Sequence, residues 1–281
     1  MAQQKTKSVT PIVDLGGITF KREDLNPSGS VKDRAMRVQL ESLKKRGGKK
    51  AAISSSGNAA ISAAFWGKKM DIQITAFVSP KINKKKLSQL KKLKPAIKSS
   101  KKPISDCFKY CRANNAYNLR QSLDPEARKG YAQLGEEIYR QLGIPEAIFF
   151  PVSSGATLLG VTDFFKKKGR LPKIFAVQPA SHPPLASKFD KDFIPEKEHL
   201  TDAIVAKHLP LKKEIISLIK KSGGSGVVVQ NNDITVAAKW LATKKTATCL
   251  EGALTLAGFR KIGKRLRINQ PLCLLTGKDY G

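Results

Sequence analysis

The sequence predicts an α/β fold: two doubly wound domains with mostly parallel sheets. Three observations carry that prediction. Short apolar runs alternate with segments of helical period almost from end to end, the pattern of βαβ units whose helices cover both faces of a sheet. The runs fall into two groups, before about residue 120 and after about residue 145. A length of 281 residues also leaves room for two domains of ordinary size.

Taken in order, the strand-like runs are 18–20, 51–53, 72–78, 147–152, 174–177, 227–229 and 272–275. The run 147–152, Ala-Ile-Phe-Phe-Pro-Val, is apolar without a break, as a strand buried on both faces requires. Between the strands, 31–43, 59–66, 132–142, 158–165, 236–241 and 253–262 repeat their apolar residues at helical spacing. The grouping divides the chain into a larger domain, 1–34 with 121–281, and a smaller, mobile one, 35–120. There is no repeat at solenoid periods and no long Pro/Gly/Ser linker, so the two should pack directly on each other. Ligands in such folds sit at the carboxyl ends of the strands, and those are the turns to read for chemistry.

Composition removes several classes. With 41% apolar residues the chain can bury a sizeable core, which excludes a disordered basic tail despite a net charge of +30. No apolar run approaches the roughly 18 residues of a membrane span. The opening MAQQKTKSVTPIVDLGG lacks the apolar centre of a secretory signal, so a cytoplasmic protein is expected. Cys107, Cys111, Cys249 and Cys273 are too scattered for a disulfide framework and are expected to be reduced and structural. His182, His199 and His208 have no metal or triad spacing, and no metal is expected.

The charge is uneven: 35–120 holds 21 basic and 3 acidic residues. Such a field attracts anions. A non-enzymatic nucleic-acid binder using that region is therefore one reading. Against it, the lysine-dense run 81–102 has no aromatic residue to stack on bases. The simpler reading is a solvated surface.

Three turns and one strand end carry the candidate chemistry. The first is Asn26-Pro27-Ser28-Gly29-Ser30-Val31-Lys32-Asp33-Arg34. Pro27 and Gly29 make a turn, and Ser30 with Asp33 has the spacing of a capping box, which sets Lys32 in the first helical turn. The positive end of the helix dipole disfavours an ammonium there, and an amine nucleophile needs its pKa brought down from about 10.4. Next, Ser54-Ser55-Ser56-Gly57-Asn58 precedes a small-residue helix from Ala59, and main-chain N–H groups at such a helix start bind anions. Pro151-Val152-Ser153-Ser154-Gly155-Ala156-Thr157 repeats the arrangement in the second half. Neither is a dinucleotide or nucleoside-triphosphate loop. The strand end is Leu274-Leu275-Thr276-Gly277.

In this order and spacing the four pieces resemble the fold-type II pyridoxal-phosphate enzymes, the tryptophan synthase β family, over nearly the whole chain. The resemblance implies a cofactor cleft between the two domains, with pyridoxal 5'-phosphate carried by Lys32 as a Schiff base. It implies that Ser55, Ser56, Gly57, Asn58 and Ala59 form the substrate-carboxylate loop, with Asn58 also beside the cofactor's phenolic oxygen. It implies that Ser153, Ser154, Gly155, Ala156 and Thr157 hold the cofactor phosphate, and that Thr276 faces the pyridine nitrogen. A hydroxyl there, unlike a carboxylate, does not keep the ring protonated, which favours elimination or replacement at the β or γ carbon over transamination.

Within the family, the segments around Thr276, Ser153, Asp202 and Ser222 are most similar to the threonine synthase branch, which converts O-phosphohomoserine and water to threonine and phosphate. The segment 21–25 resembles the serine/threonine dehydratases, and 29–32 resembles the cysteine synthases. The resemblance thus implies a lyase of amino-acid biosynthesis with a small amino-acid substrate, phosphorylated in the threonine synthase branch, and a homodimer. Two differences stand out. The phosphate loop has a single glycine where relatives have three or four, and Ala59 replaces a threonine common in relatives.

Overall fold

Two parallel-stranded sheets organise the chain, in a computed structural model that describes residues 9–201, 204, 209–263 and 265–280. The first half runs β1 (Ile12–Asp14), β2 (Thr19–Arg22), α1 (Lys32–Lys45), β3 (Lys50–Ser54), α2 (Asn58–Met70), β4 (Gln73–Val78), α3 (Lys84–Lys92), β5 (Ala96–Ser99), α4 (Pro103–Ala113) and β6 (Tyr117–Asn118). The second runs α5 (Pro125–Leu142), β7 (Ala147–Pro151), α6 (Ala156–Lys167), β8 (Lys173–Pro179), α7 (Lys212–Lys221), β9 (Ser225–Val229), α8 (Asn231–Thr243), α9 (Leu250–Ile262) and β10 (Pro271–Leu275). The larger sheet has the order β1-β2-β10-β7-β8-β9 and the smaller β5-β4-β3-β6. Strand pairings are parallel except for the β1–β2 hairpin.

Both sheets are covered on both faces, which is why their strands read as apolar runs. Along β7, Ile148 and Phe150 enter one core with residues of α5, α6 and α7, while Ala147 and Phe149 enter the opposite core with α8 and α9. In the smaller sheet Ala51 and Ile53 pack with α1 and α2, and Ala52 packs with Phe77 and the α4 cysteines. All four cysteines are buried free thiols. No described helix is long and apolar enough to cross a membrane.

Helix α1 is the seam between the two cores. Ala35 and the preceding Val31 belong to the core of the larger sheet, and Met36, Leu40 and Leu43 to that of the smaller. Its crossing with α5 is backbone to backbone: a Cβ on Gly130 would lie 2.2 Å from the Arg34 carbonyl oxygen. Neither main chain can yield cheaply, so Gly130→Ala is expected to cost about 2–3 kcal/mol in urea unfolding. A loss below about 0.5 kcal/mol would show that the crossing is looser than this distance indicates.

The start of α1 differs from the capping-box expectation. The helix begins at Lys32 with Val31 before it, and no side chain caps it. Ser30 Oγ is a remote 3.4 Å acceptor for the Lys32 N–H, and Asp33 reaches back to Ser28 instead of Ser30. The reason is the ladder contact between Ser30 and Gly277, which commits Ser30 to the end of β10.

Candidate active site

The turn that presents Lys32 is built in three steps. Asn26 donates through Nδ2 to the Glu23 carbonyl at 2.8 Å and to the Glu23 carboxylate at 2.7 Å. Gly29, with φ +90°, closes the turn by donating to the Asn26 carbonyl at 2.8 Å. The chain then locks onto the end of β10: Val31 N–H donates to the Thr276 carbonyl at 2.9 Å, and Lys278 N–H to the Gly29 carbonyl at 2.8 Å. Lys32 and Thr276 therefore share one corner through main-chain bonds. Lys32 is half-buried, and its Nζ lies 3.5 Å from Tyr131 Oη.

Asn58 reaches the same corner from the smaller sheet. A Cβ on Gly277 would lie 2.6 Å from Asn58 Nδ2 and 3.2 Å from Cys249 Sγ, so glycine alone leaves room for both. Cys249 stands 4.0 Å from Thr276 Oγ1. Burial first, and then the neighbouring Glu251 carboxylate, push its thiol well above the usual range, so it remains neutral. Asn58 Oδ1 is buried with no hydrogen-bond partner. The rest of that loop is partly committed: Ser55 Oγ accepts from Gly57 N–H at 3.2 Å, and Ser56 Oγ from Ser79 N–H at 2.7 Å. Ala59 is partly buried and packs against the core of the smaller sheet.

The 153–157 turn follows β7 and opens α6. In it only Gly155 adopts a left-handed conformation, φ +85°, so one glycine meets the need of this backbone. A Cβ there would also lie 2.1 Å from Ile215 Cδ1. Among the described residues the hydroxyls of Ser153, Ser154 and Thr157 have no protein partner. Ala156 lines a cavity of about 220 Å³ together with Gln121, Ser122 and Arg128. Gln121 Oε1 accepts from Tyr131 Oη at 2.8 Å, which connects this cavity to Lys32. Gln121 Nε2 is buried without a partner. Arg128 is held by Asp163 and Glu214.

Tyr131 and Gln121 were not legible as site residues. Tyr131 sits in a helix whose period marks it as core, and Gln121 in a polar stretch with no motif of its own. Ser222-Gly223-Gly224, by contrast, lies away from the site: Ser222 Oγ accepts from Ile174 N–H at the start of β8, the opposite end from the ligand-binding edge. Asp202, Ala203, Val205 and His208 lie outside the described residues. No group of three His, Cys, Asp or Glu among the described residues could hold a metal ion.

The site fits pyridoxal phosphate on its own terms. It offers an unused carbonyl oxygen on Asn58, an unused amide nitrogen on Gln121, and a hydroxyl-rich helix start at 153–157 suited to a phosphate.

Comparison with known proteins agrees. The family model described as "Pyridoxal-phosphate dependent enzyme" matches residues 4–277. Threonine synthase of Methanosarcina acetivorans is 26% identical over 94% of this chain and 71% of its own length. Threonine synthase of Methanocaldococcus jannaschii is 27% identical over 92% of this chain and 69% of its own. Among solved structures, the processed form of threonine deaminase isoform 2 from Solanum lycopersicum superposes with a TM-score of 0.81 at 20% identity, covering 96% of this chain and 84% of that one. Maize serine racemase gives 0.83 at 19% identity, covering 95% and 87%.

Proposed function

The chain belongs to the pyridoxal-phosphate dependent enzyme family, and from that premise we propose that it performs elimination or replacement at the β or γ carbon of an amino acid, converting O-phosphohomoserine and water to threonine and phosphate. The observation that carries the reading is the corner at Gly277, where Asn58 arrives from the smaller sheet and the turn that presents Lys32 pairs through Ser30 and Val31 with the end of β10 beside Thr276. Support for the specific reaction comes from coverage. Four threonine synthases match over 92–95% of the chain. The threonine dehydratases of Cicer arietinum and Solanum lycopersicum match over only 25% and 20%.

Each residue has a task under this reading. Lys32 would carry the cofactor, with Asn58 and Thr276 at its ring and 153–157 at its phosphate. When bound, pyridoxal phosphate supplies the electron sink that lets a bond at the substrate's α carbon break. Lys32 Nζ is the chain's base and acid at that carbon. Tyr131 Oη orients it: having donated its own proton to Gln121, the phenol presents a lone pair to the lysine amine. Ser55 and Gly57, at the start of α2, bind the substrate carboxylate. Thr276 leaves the ring nitrogen without a counter-charge, which favours elimination over amino-group transfer.

The test is product analysis with purified protein. Threonine and phosphate from O-phosphohomoserine are expected. Ammonia and a keto acid from threonine would instead identify a dehydratase, the reading that the 43% identity over 56 residues favours. Acetate from O-acetylserine would identify a cysteine synthase. Under the same proposal 35–120 closes over an anionic substrate, drawn by its net charge, so kcat/KM should fall as salt is added.

A further inference from the structure

Asp33 is a buried carboxyl with no counter-charge. It is 2% exposed, and among the described residues no Lys, Arg or His pairs with it. An isolated charge in such a place is strongly disfavoured unless hydrogen bonds compensate it. Its donors come from two separate segments. Ser28, in the turn that presents Lys32, gives its N–H to Oδ2 at 2.7 Å and its hydroxyl to Oδ1. Ser62, on α2 and itself fully buried, gives its hydroxyl to Oδ1 at 2.5 Å. Burial pushes its pKa above the usual carboxylate value and the Ser28 and Ser62 hydrogen bonds oppose that; a carboxylate accepts all three at once.

The second segment gives this arrangement a function. Ser62 lies four residues after Asn58, so the two share one face of α2, a turn apart. Pinning Ser62 fixes the rotation of α2 about its axis, and with it the aim of Asn58. The other end of the same clasp holds the turn beside Lys32. We propose that Asp33 is a positioning residue that ties the Lys32 turn to α2 and, through Ser62, sets the aim of Asn58 at the cofactor. The inference rests on the reading that Lys32 and Asn58 address one bound pyridoxal phosphate, and it adds the residue that keeps them in register across the two sheets.

The experiment is a double-mutant cycle on the full chain with Ser62→Ala, Asn58→Ala and both together. The readouts are the dissociation constant for pyridoxal phosphate by absorbance titration and the position of the bound visible band. Each single change should weaken binding about tenfold, the scale of one hydrogen bond to a charged group. The double variant should also lie about tenfold from wild type, because Ser62 acts only through Asn58. The band should move in the same direction in both single variants. A double variant about a hundredfold weaker, or a Ser62→Ala chain that melts lower but binds within about twofold of wild type, overturns the inference and leaves the functional reading standing. A wild-type chain that takes up no pyridoxal phosphate overturns the reading and this inference with it.

Discussion

Replacing Lys32 with Ala should lower turnover by about three to four orders of magnitude and abolish the visible absorption band that the wild-type chain shows with pyridoxal phosphate. Under the proposed function the amine at position 32 performs two jobs, holding the cofactor and moving protons at the α carbon, and no neighbouring group replaces it. The hydroxyl that its amine meets, Tyr131 Oη at 3.5 Å, belongs to a phenol already donating to Gln121. The loss should be separable from unfolding. Lys32 is half-buried and among the described residues its side chain makes no ion pair, so truncation should cost no more than about 1 kcal/mol of stability. Circular dichroism and urea midpoints near wild type, with the band and the activity gone, are the expected combination. A Lys32→Ala chain that keeps its activity would remove the functional reading.

The largest stability effect is expected two residues after Lys32, on the opposite side of α1. Arg34 there donates to Glu137 at 2.6 and 3.0 Å and to Glu23 at 2.9 and 2.8 Å. The fully buried Lys21 donates to Glu137 at 2.6 Å, and the Thr10 N–H joins them at 2.8 Å. Two cations and two carboxylates are thus buried in balance. Arg34→Ala leaves both carboxylates short of a partner and should cost about 3–5 kcal/mol.

The same group sets an acid limit. Burial alone would raise the Glu137 carboxyl, but the hydrogen bonds and charge of Arg34, then those of Lys21, outweigh it and draw it down from 4.5 to about 2. A carboxyl depressed in the folded state contributes its stability fully above its unfolded value. That contribution, roughly 3 kcal/mol, is lost as pH falls from about 4.5 to about 2. In urea unfolding the gap between wild type and Glu137→Gln should therefore be widest near neutrality and narrow over that window. A gap that stays constant with pH would show that the charge of Glu137 contributes nothing.

Much of this was legible in the sequence, and the omissions have physical reasons. The strand-like runs at 51–53, 72–78, 147–152 and 272–275 became β3, β4, β7 and β10 because residues buried on both faces are apolar at every position. β5 was not readable in the same way: at the edge of its sheet, Ala96-Ile97-Lys98-Ser99 has one strongly apolar residue. α3 holds five lysines in nine residues, and its two leucines make too narrow a stripe to stand out. In the fold Asn83 caps it, accepting from the Lys85 and Lys86 N–H groups. β1 was missed as well: it is three residues long, and none of them is fully buried. At the site, contiguous motifs could be read and pairings across the fold could not. Nothing local links Asp33 to Ser62, or Lys32 to Tyr131 and Gln121.

The order of strands in the larger sheet also governs how the molecule comes into being. β2 is made early, yet its parallel partner β10 lies roughly 250 residues downstream, and β10 is also the bridge to β7. During synthesis the N-terminal hairpin must wait with one flank open, and β7, β8 and β9 can only assemble as a separate half. Joining the halves closes a very long loop, a slow step for any chain. The corner containing Lys32, Asn58 and Thr276 thus comes into existence among the last events of folding, and a nascent chain stalled before residue 271 holds no part of it in working order.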